Sequence, residues 1–157
     1  MAKVYLETSF FSACVSNRDD DGSLWRRQES QAWWTVQRRY HELMISAEVL
    51  GELSQPSYPN RVPALRMTAG LTLLPVTPEI IGLAKVLVEE KVMPGPESAG
   101  DAIHSAVCAV HRVEYLLTWN QKHLANVNKV KHLQLICIRT GYIAPQIVTP
   151  ERLWTEE

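Results

Sequence analysis

The chain has no run of about 18 uninterrupted apolar residues, and Met1 leads straight into a strand-like pattern without the basic segment and apolar core of a secretory leader. These absences lead us to expect a cytoplasmic protein that neither spans a membrane nor is exported. Cysteine is scarce as well. Cys14, Cys108 and Cys137 are odd in number and lack metal-type spacing, which reads as reduced intracellular thiols and not as a disulfide framework. Net charge is almost nil: 16 basic against 17 acidic residues leave −1, which argues against retention on nucleic acid by bulk charge but leaves room for a local basic face. Several catalytic patterns are missing. There is no Gly-x-Ser-x-Gly elbow, no phosphate-cradling Gly-x4-Gly-Lys-Ser/Thr loop and no Gly-x-Gly-x-x-Gly after the first strand, and Leu6-Glu7-Thr8 lacks the paired aspartates of a phosphoaspartate enzyme. Repeats, linkers and low-complexity tracts are also absent, so residues 1–157 are expected to form a single domain. A chain of that length, 46% hydrophobic, can bury roughly two-thirds of the surface it exposes when unfolded.

What is present alternates between two periodicities. Val4-Tyr5-Leu6 is a strand candidate followed by Thr8 and Ser9, good helix caps, and then by a helix to Val15. Asn17 to Ser23 reads as a polar loop, and Leu24 to Glu42 as one helix with Trp25, Ala32, Trp33, Val36 and Tyr40 on a stripe. Leu43–Ser46, Leu71–Val76, Tyr115–Thr118 and Gln146–Val148 are further strand candidates. Between them the pattern predicts helices over Ala47–Ser54, Val62–Ala69, Pro78 to about Lys91, from a Ser98 cap to Arg112, and between Ala125 and Arg139. Thr149-Pro150-Glu151 starts a last short turn. Strands separated by helices predict an α/β protein, a three-layer α/β/α sandwich around a mostly parallel sheet.

In such a sheet, ligands gather beyond the carboxyl ends of the strands, and Glu7 and Asn120 each directly follow a strand candidate. Glu52 lies on the short helix after the second strand, and Asp101 opens Asp101-Ala102-Ile103-His104. Brought to one rim, these three acids would bind a divalent metal. Each has a plainer reading. Glu7 can be a solvated residue at a strand exit, Glu52 a water-facing helix residue with Glu48 as alternative ligand, and Asp101 the acid of a capping box begun by Ser98, with Glu97 as a possible helper. Gly100 keeps the neighbourhood of Asp101 open at some cost to helix stability.

Asp101, His104, Cys108 and His111 share a helical face, a zinc-like set of residue types. Asp101 and His111 are ten residues apart, about 15 Å along a helix, so one ion cannot take them all. Cys108 then reads as core, and His104 as a support for Asp101 or the cap of a polar pocket. Finally, Trp25, Trp33, Trp34 and Tyr40 are interleaved with Arg26, Arg27, Arg38 and Arg39, a mixture suited to stacking bases and contacting phosphates. A buried aromatic stripe with solvated arginines would look the same, and a dimer interface could use it too. Lys122, with Arg112 and His123, can add positive charge near the fourth strand.

The order of these motifs resembles the PIN-domain ribonucleases, particularly VapC-type toxins of toxin–antitoxin pairs, nearly end to end. The segments that carry the likeness are Tyr5-Leu6-Glu7-Thr8-Ser9, Ser46 to Leu53, Asp101-Ala102-Ile103-His104-x-Ala106, and above all Tyr115 to Asn126, which contains Leu-Thr-Trp-Asn-x-Lys-His-Leu-Ala-Asn. Ile147 to Glu151 matches the ending of one branch. The resemblance implies RNA cleavage with Glu7, Glu52 and Asp101 holding Mg²⁺ or Mn²⁺, Asn120 at the rim, Ser9 and Thr118 orienting ligands from behind, and His104 as a helper. It also implies an RNA substrate, a small antitoxin partner and a homodimer. Two positions depart from the family: Glu7 stands where an aspartate is usual, and Asn120 brings an amide where many relatives carry an acid.

Overall fold

A computed structural model describes residues 1–96 and 100–156. Five strands form one sheet: β1 (Ala2–Leu6), β2 (His41–Ser46), β3 (Thr72–Leu74), β4 (Tyr115–Leu117) and β5 (Gln146–Val148). Their order is β3-β2-β1-β4-β5 and every pairing is parallel. The central strand β1 buries Val4, Tyr5 and Leu6 completely, as a strand covered on both faces must. Both edge strands are three residues long, which limits the open ladder they present.

Seven α-helices connect the strands among the described residues: α1 (Thr8–Val15), α2 (Asp21–Ala32), α3 (Ala47–Leu53), α4 (Arg61–Met67), α5 (Pro78–Glu89), α6 (Asp101–Val110) and α7 (Val127–Thr140). From β1 the chain steps outward through β2 to β3, then returns to β4 and β5 on the other side. Right-handed crossovers therefore lay α1 to α4 on one face and α5 to α7 on the other. Packing of α1 against α2, α3 and α4, and of α5 against α6, agrees with this α/β/α layering. The expected strands and most helices are where the periodicity put them, and Thr77 caps α5 by accepting from the Ile80 amide at 3.3 Å, with Pro78 in the first turn.

Three details differ from the sequence reading. The expected helix over 24–42 begins earlier, at Asp21, because the Asp20 carboxylate caps the Ser23 amide at 3.0 Å. It then loosens into a π turn at Trp33–Gln37 and a 3₁₀ turn at Arg38–Tyr40, and His41 and Glu42 belong to β2. Pairing of His41 with Ala2 and of Glu42 with Lys3 recruits them into the sheet. The Ser98 cap and Glu97 lie outside the described residues; Gly100 stands in the cap position of α6 at φ 67°, ψ −143°. A Cβ there would meet nothing within 4 Å, so this position needs glycine for its backbone conformation and not for space.

Candidate active site

The strand order reverses direction at β1 and β4, which makes the gap beyond their carboxyl ends the topological switch point where open α/β sheets bind ligands. Glu7 stands in that gap, its amide donating to the Leu117 carbonyl at 3.1 Å. Its side chain caps α1. The Oε2 atom accepts from the Ser9 amide and from Thr118 Oγ1, both at 2.9 Å, and from the Ser9 hydroxyl. Ser9 Oγ also accepts from the Trp119 amide at 2.8 Å, and Thr118 Oγ1 from the Asn120 amide at 3.0 Å. The two hydroxyls therefore fasten the β4 exit to the β1 exit. Glu7 is only 5% exposed; burial raises its pKa above the usual carboxylate range, against the pull of the His104 charge and of the Ser9 and Thr118 hydrogen bonds.

The second and third acids meet the first around a histidine. His104, fully buried on α6, contacts Glu52 Oε1 on α3 through Nε2 at 2.5 Å and the Tyr5 hydroxyl through Nδ1 at 2.6 Å. Tyr5 in turn contacts Ser46 Oγ at 2.7 Å. A buried chain Ser46–Tyr5–His104–Glu52 thus crosses from the end of β2 to the rim. Burial alone would lower the His104 pKa, but the Glu52 hydrogen bond and the charges of Glu7, Glu52 and Asp101 outweigh it, so the imidazole is raised. Burial pushes Glu52 up, but the His104 contact and charge and the Thr8 hydroxyl, which donates at 2.8 Å, bring it below the usual range. Asp101 is raised by burial, against His104, His123 and the Asn120 amide.

Asn120 faces Asp101 directly, its Nδ2 donating to both carboxylate oxygens at 3.1 Å. Its own Oδ1 accepts from the His123 amide at 3.0 Å, so the turn after β4 holds the side chain in place. Glu7, Ser9, Thr118, Asn120 and Asp101 are thus joined by hydrogen bonds, and the Glu52–His104 pair lies close enough for its charges to act on Glu7 and Asp101. Glu48, the alternative ligand, instead accepts from the Gly100 amide at 2.9 Å and ties α3 to the start of α6. Two tyrosines of the cluster were not singled out in the sequence. Tyr5 lies on β1 two residues before Glu7, whose backbone is still extended as it leaves the strand, a spacing that places both on one face. Tyr58 feels the charges of Glu7 and Glu52, and with burial as the main cause its hydroxyl is pushed up to about 12.

A divalent ion suits this donor set by chemistry. The ligands are carboxylate oxygens, Glu7 Oε1 and Glu52 Oε2 accept no hydrogen bond within the described residues, and the burial that raises Glu7 and Asp101 is the condition a cation would relieve. As arranged, however, no three Asp, Glu, His or Cys side chains among the described residues are grouped to hold an ion.

The arginines separate. Arg26 lies on α2 beside a cleft that includes Ser9 and Asn120, whereas Arg38 and Arg39 line a hollow with His41 and Glu42, at the opposite end of the strands. Arg38 lies over the Trp34 ring at 4.6 Å and Arg39 over Tyr40 at 4.9 Å. Arg27 donates to the Ser16 carbonyl at 3.0 Å, and Lys122 is exposed in the turn after Asn120. The aromatic stripe is largely structural: Trp33 is fully buried and donates to the Leu153 carbonyl at 2.7 Å. On α6, Cys108 is core, and His111 contacts the Pro75 carbonyl at 2.8 Å.

The layering and strand order define an open, all-parallel α/β/α sandwich, the fold the chain shares with solved VapC-type structures. No protein-family model and no curated protein matches the chain. Among solved structures, VapC20 of Mycobacterium tuberculosis, described as a sarcin–ricin loop cleaving toxin, matches at 18% identity and TM-score 0.56, over 90% of this chain and 99% of its own. VapBC2 of Rickettsia felis, solved bound to a DNA fragment from its promoter, matches at 13% identity and TM-score 0.54, over 93% and 97%. FitAcB of Neisseria gonorrhoeae matches at 13% identity and TM-score 0.53, over 96% and 99%. At these identities the likeness is one of fold. No helix among the described residues is long and apolar enough to cross a membrane.

Proposed function

We propose that the chain is a metal-dependent endoribonuclease that cleaves RNA phosphodiester bonds and serves as the toxin of a toxin–antitoxin pair. The observation that carries this reading is the hydrogen-bonded chain at the switch point of the sheet, in which Thr118 joins Glu7 to the turn whose Asn120 holds Asp101, with Glu52 bonded to the buried His104 alongside. Those three carboxylates would hold Mg²⁺ or Mn²⁺. A bound ion lowers the pKa of a coordinated water and neutralises charge at the phosphate. The chain's own groups set the stage for it: Ser9 and Thr118 fix the Glu7 carboxylate, Thr8 and His104 orient Glu52, and Asn120 orients Asp101. The proposal includes a small antitoxin partner, by analogy with VapBC2 and FitAcB, and a homodimer, and an adjoining reading frame for a DNA-binding protein with an apolar tail would support the pairing.

Manganese titration together with RNA cleavage tests the reading. Asp101→Asn should abolish both Mn²⁺ binding and cleavage; a variant that cuts RNA as fast as the parent overturns it. A second reading has its own support. Asn120 occupies both oxygens of Asp101 and contributes no charge, an arrangement suited to a non-catalytic PIN-like module that binds RNA or protein. Such a module would show no Mn²⁺-dependent cleavage and would bind its target equally well in a metal chelator.

A further inference from the structure

A cleft of about 260 Å³ shares Ser9 and Asn120 with the acidic rim. Ser9 and Ser12, three residues apart on one face of α1, line it together with Ser16, the residue that ends the helix. The opposite wall comes from the start of α2, where Ser23 and Arg26 share a face, and from Arg18 in the preceding loop. At its inner end the cleft meets Trp119 and Asn120, and Ser9 there is the same residue that holds Glu7. A ligand lying in the cleft would therefore touch the two residues that hold Glu7 and Asp101.

The chemistry of the lining selects the ligand. Its charged members are both arginines and none is a carboxylate. Arg26 makes no hydrogen bond or ion pair among the described residues, and its guanidinium is presented to solvent. Arg18 pairs with Asp20 at 3.3 Å, but both side chains are largely exposed, at 78% and 53%, so the pair is weak and readily exchanged. Short hydroxyl side chains leave room for a backbone, and with the Ser9 and Ser12 protons given to Glu7 and to the Thr8 carbonyl the binding falls to the guanidinium groups, which take phosphate oxygens in a bidentate manner. The other arginine-lined hollow, with Arg38, Arg39 and Arg66, begins at the amino ends of the strands, some 16 Å from Glu7 along β1.

We infer that this cleft seats the single-stranded RNA backbone next to the cleaved bond, with Arg26 as the principal phosphate contact and Arg18 as the second. The inference rests on the ribonuclease reading of the acidic rim. It assigns the substrate track to the α1–α2 side of the site and excludes the Arg38–Arg39 hollow from it.

The test is binding of a fluorescently labelled single-stranded RNA to the full chain in a metal chelator, where no cutting occurs. Arg26→Gln should weaken binding about fivefold near 0.1 M salt, and R18Q/R26Q about tenfold or more. Each lost arginine should flatten the dependence of log affinity on log salt by about 0.7. Ser12→Glu, which places a negative charge on the hydroxyl wall, should weaken binding similarly, and Arg38→Gln should stay within about twofold. Thermal unfolding confirms that each variant is folded. In cleavage assays Arg26→Gln should raise KM and leave kcat within about twofold. The inference is overturned if the folded double variant and Ser12→Glu bind like the parent, or if Arg38→Gln alone weakens binding. Asp101→Asn separates the two readings: loss of cleavage with RNA binding and its Arg26 dependence intact supports both. A parent that binds RNA through Arg26 but never cuts defeats the nuclease reading and keeps the track as a binding groove.

Discussion

Each end of the sheet buries a histidine, and the two are treated in opposite ways. At the carboxyl ends, His104 is bonded through both ring nitrogens, to Tyr5 and to Glu52, with three acids close enough to raise its pKa. At the amino ends, His41 is 6% exposed, lies flat on Trp33 with the ring planes 6° apart, and finds no hydrogen-bond partner for either nitrogen among the described residues. Burial lowers its pKa, as does the α-amino group of Met1, against a smaller pull from Glu114. The same side chain is thus wired as a polar hub at one end and used as a flat apolar plate at the other. Polarity concentrated at the carboxyl rim, with packing dominating beneath, is what a site mounted on a rigid sheet requires.

Substitution at the two histidines should separate these roles by the largest margin. His104→Phe leaves the Tyr5 hydroxyl without its imidazole partner and removes the charged partner of Glu52. With Glu52 able to turn to water, the expected loss is about 2–3 kcal/mol in denaturant unfolding, together with loss of Mn²⁺ binding. His41→Phe removes two unpaired nitrogens and keeps the stack on Trp33, so it should be neutral or stabilising by up to about 1 kcal/mol. Equal destabilisation by both substitutions would erase the distinction between hub and plate.

The contrast was only half legible in the sequence. Glu7, Glu52, Asp101 and Asn120 were visible because each sits at a strand exit or in a short helical motif, where local pattern and position say enough. Their common neighbour was harder to see. Tyr5 looked like one more apolar residue of a doubly buried strand, and nothing local announces that its hydroxyl links Ser46 to His104, residues 41 positions after it and 99 positions after it. The stretch from Leu24 to Glu42 failed for a related reason. Its helical stripe continues unbroken in the sequence, while the pairing of His41 and Glu42 with β1, a contact almost forty residues away, ends the helix in the fold.

Asn120→Asp sharpens the comparison within the rim itself. Without metal, a second carboxylate would face Asp101 in place of the amide donor, and unfolding stability should fall by about 1–2 kcal/mol. With Mn²⁺ the sign should reverse, since an ion stabilises the folded state in proportion to its affinity and the added charge strengthens that affinity. The shift in melting temperature on adding Mn²⁺ should therefore be larger in this variant than in the parent. An equal or smaller shift would mean that the fourth corner contributes nothing to ion binding.

The smallest effect is a pH dependence, and it belongs to the amino-terminal end. A histidine whose folded pKa lies below its ordinary value binds fewer protons when folded than when unfolded. The stability it permits is fully present above the unfolded pKa and is lost as pH falls from there through the folded pKa. The parent should therefore lose stability as pH drops below about 6.5, the ordinary histidine value. His41→Phe should flatten that part of the curve, because the buried ring no longer has a proton to refuse. Comparing unfolding midpoints of the two proteins between neutral pH and about pH 5.5, above the range in which most exposed carboxylates titrate, isolates this contribution. A parallel decline in both would show that the imidazole meets its proton as readily inside the fold as outside it, and the flat stack on Trp33 would then have to open to admit water.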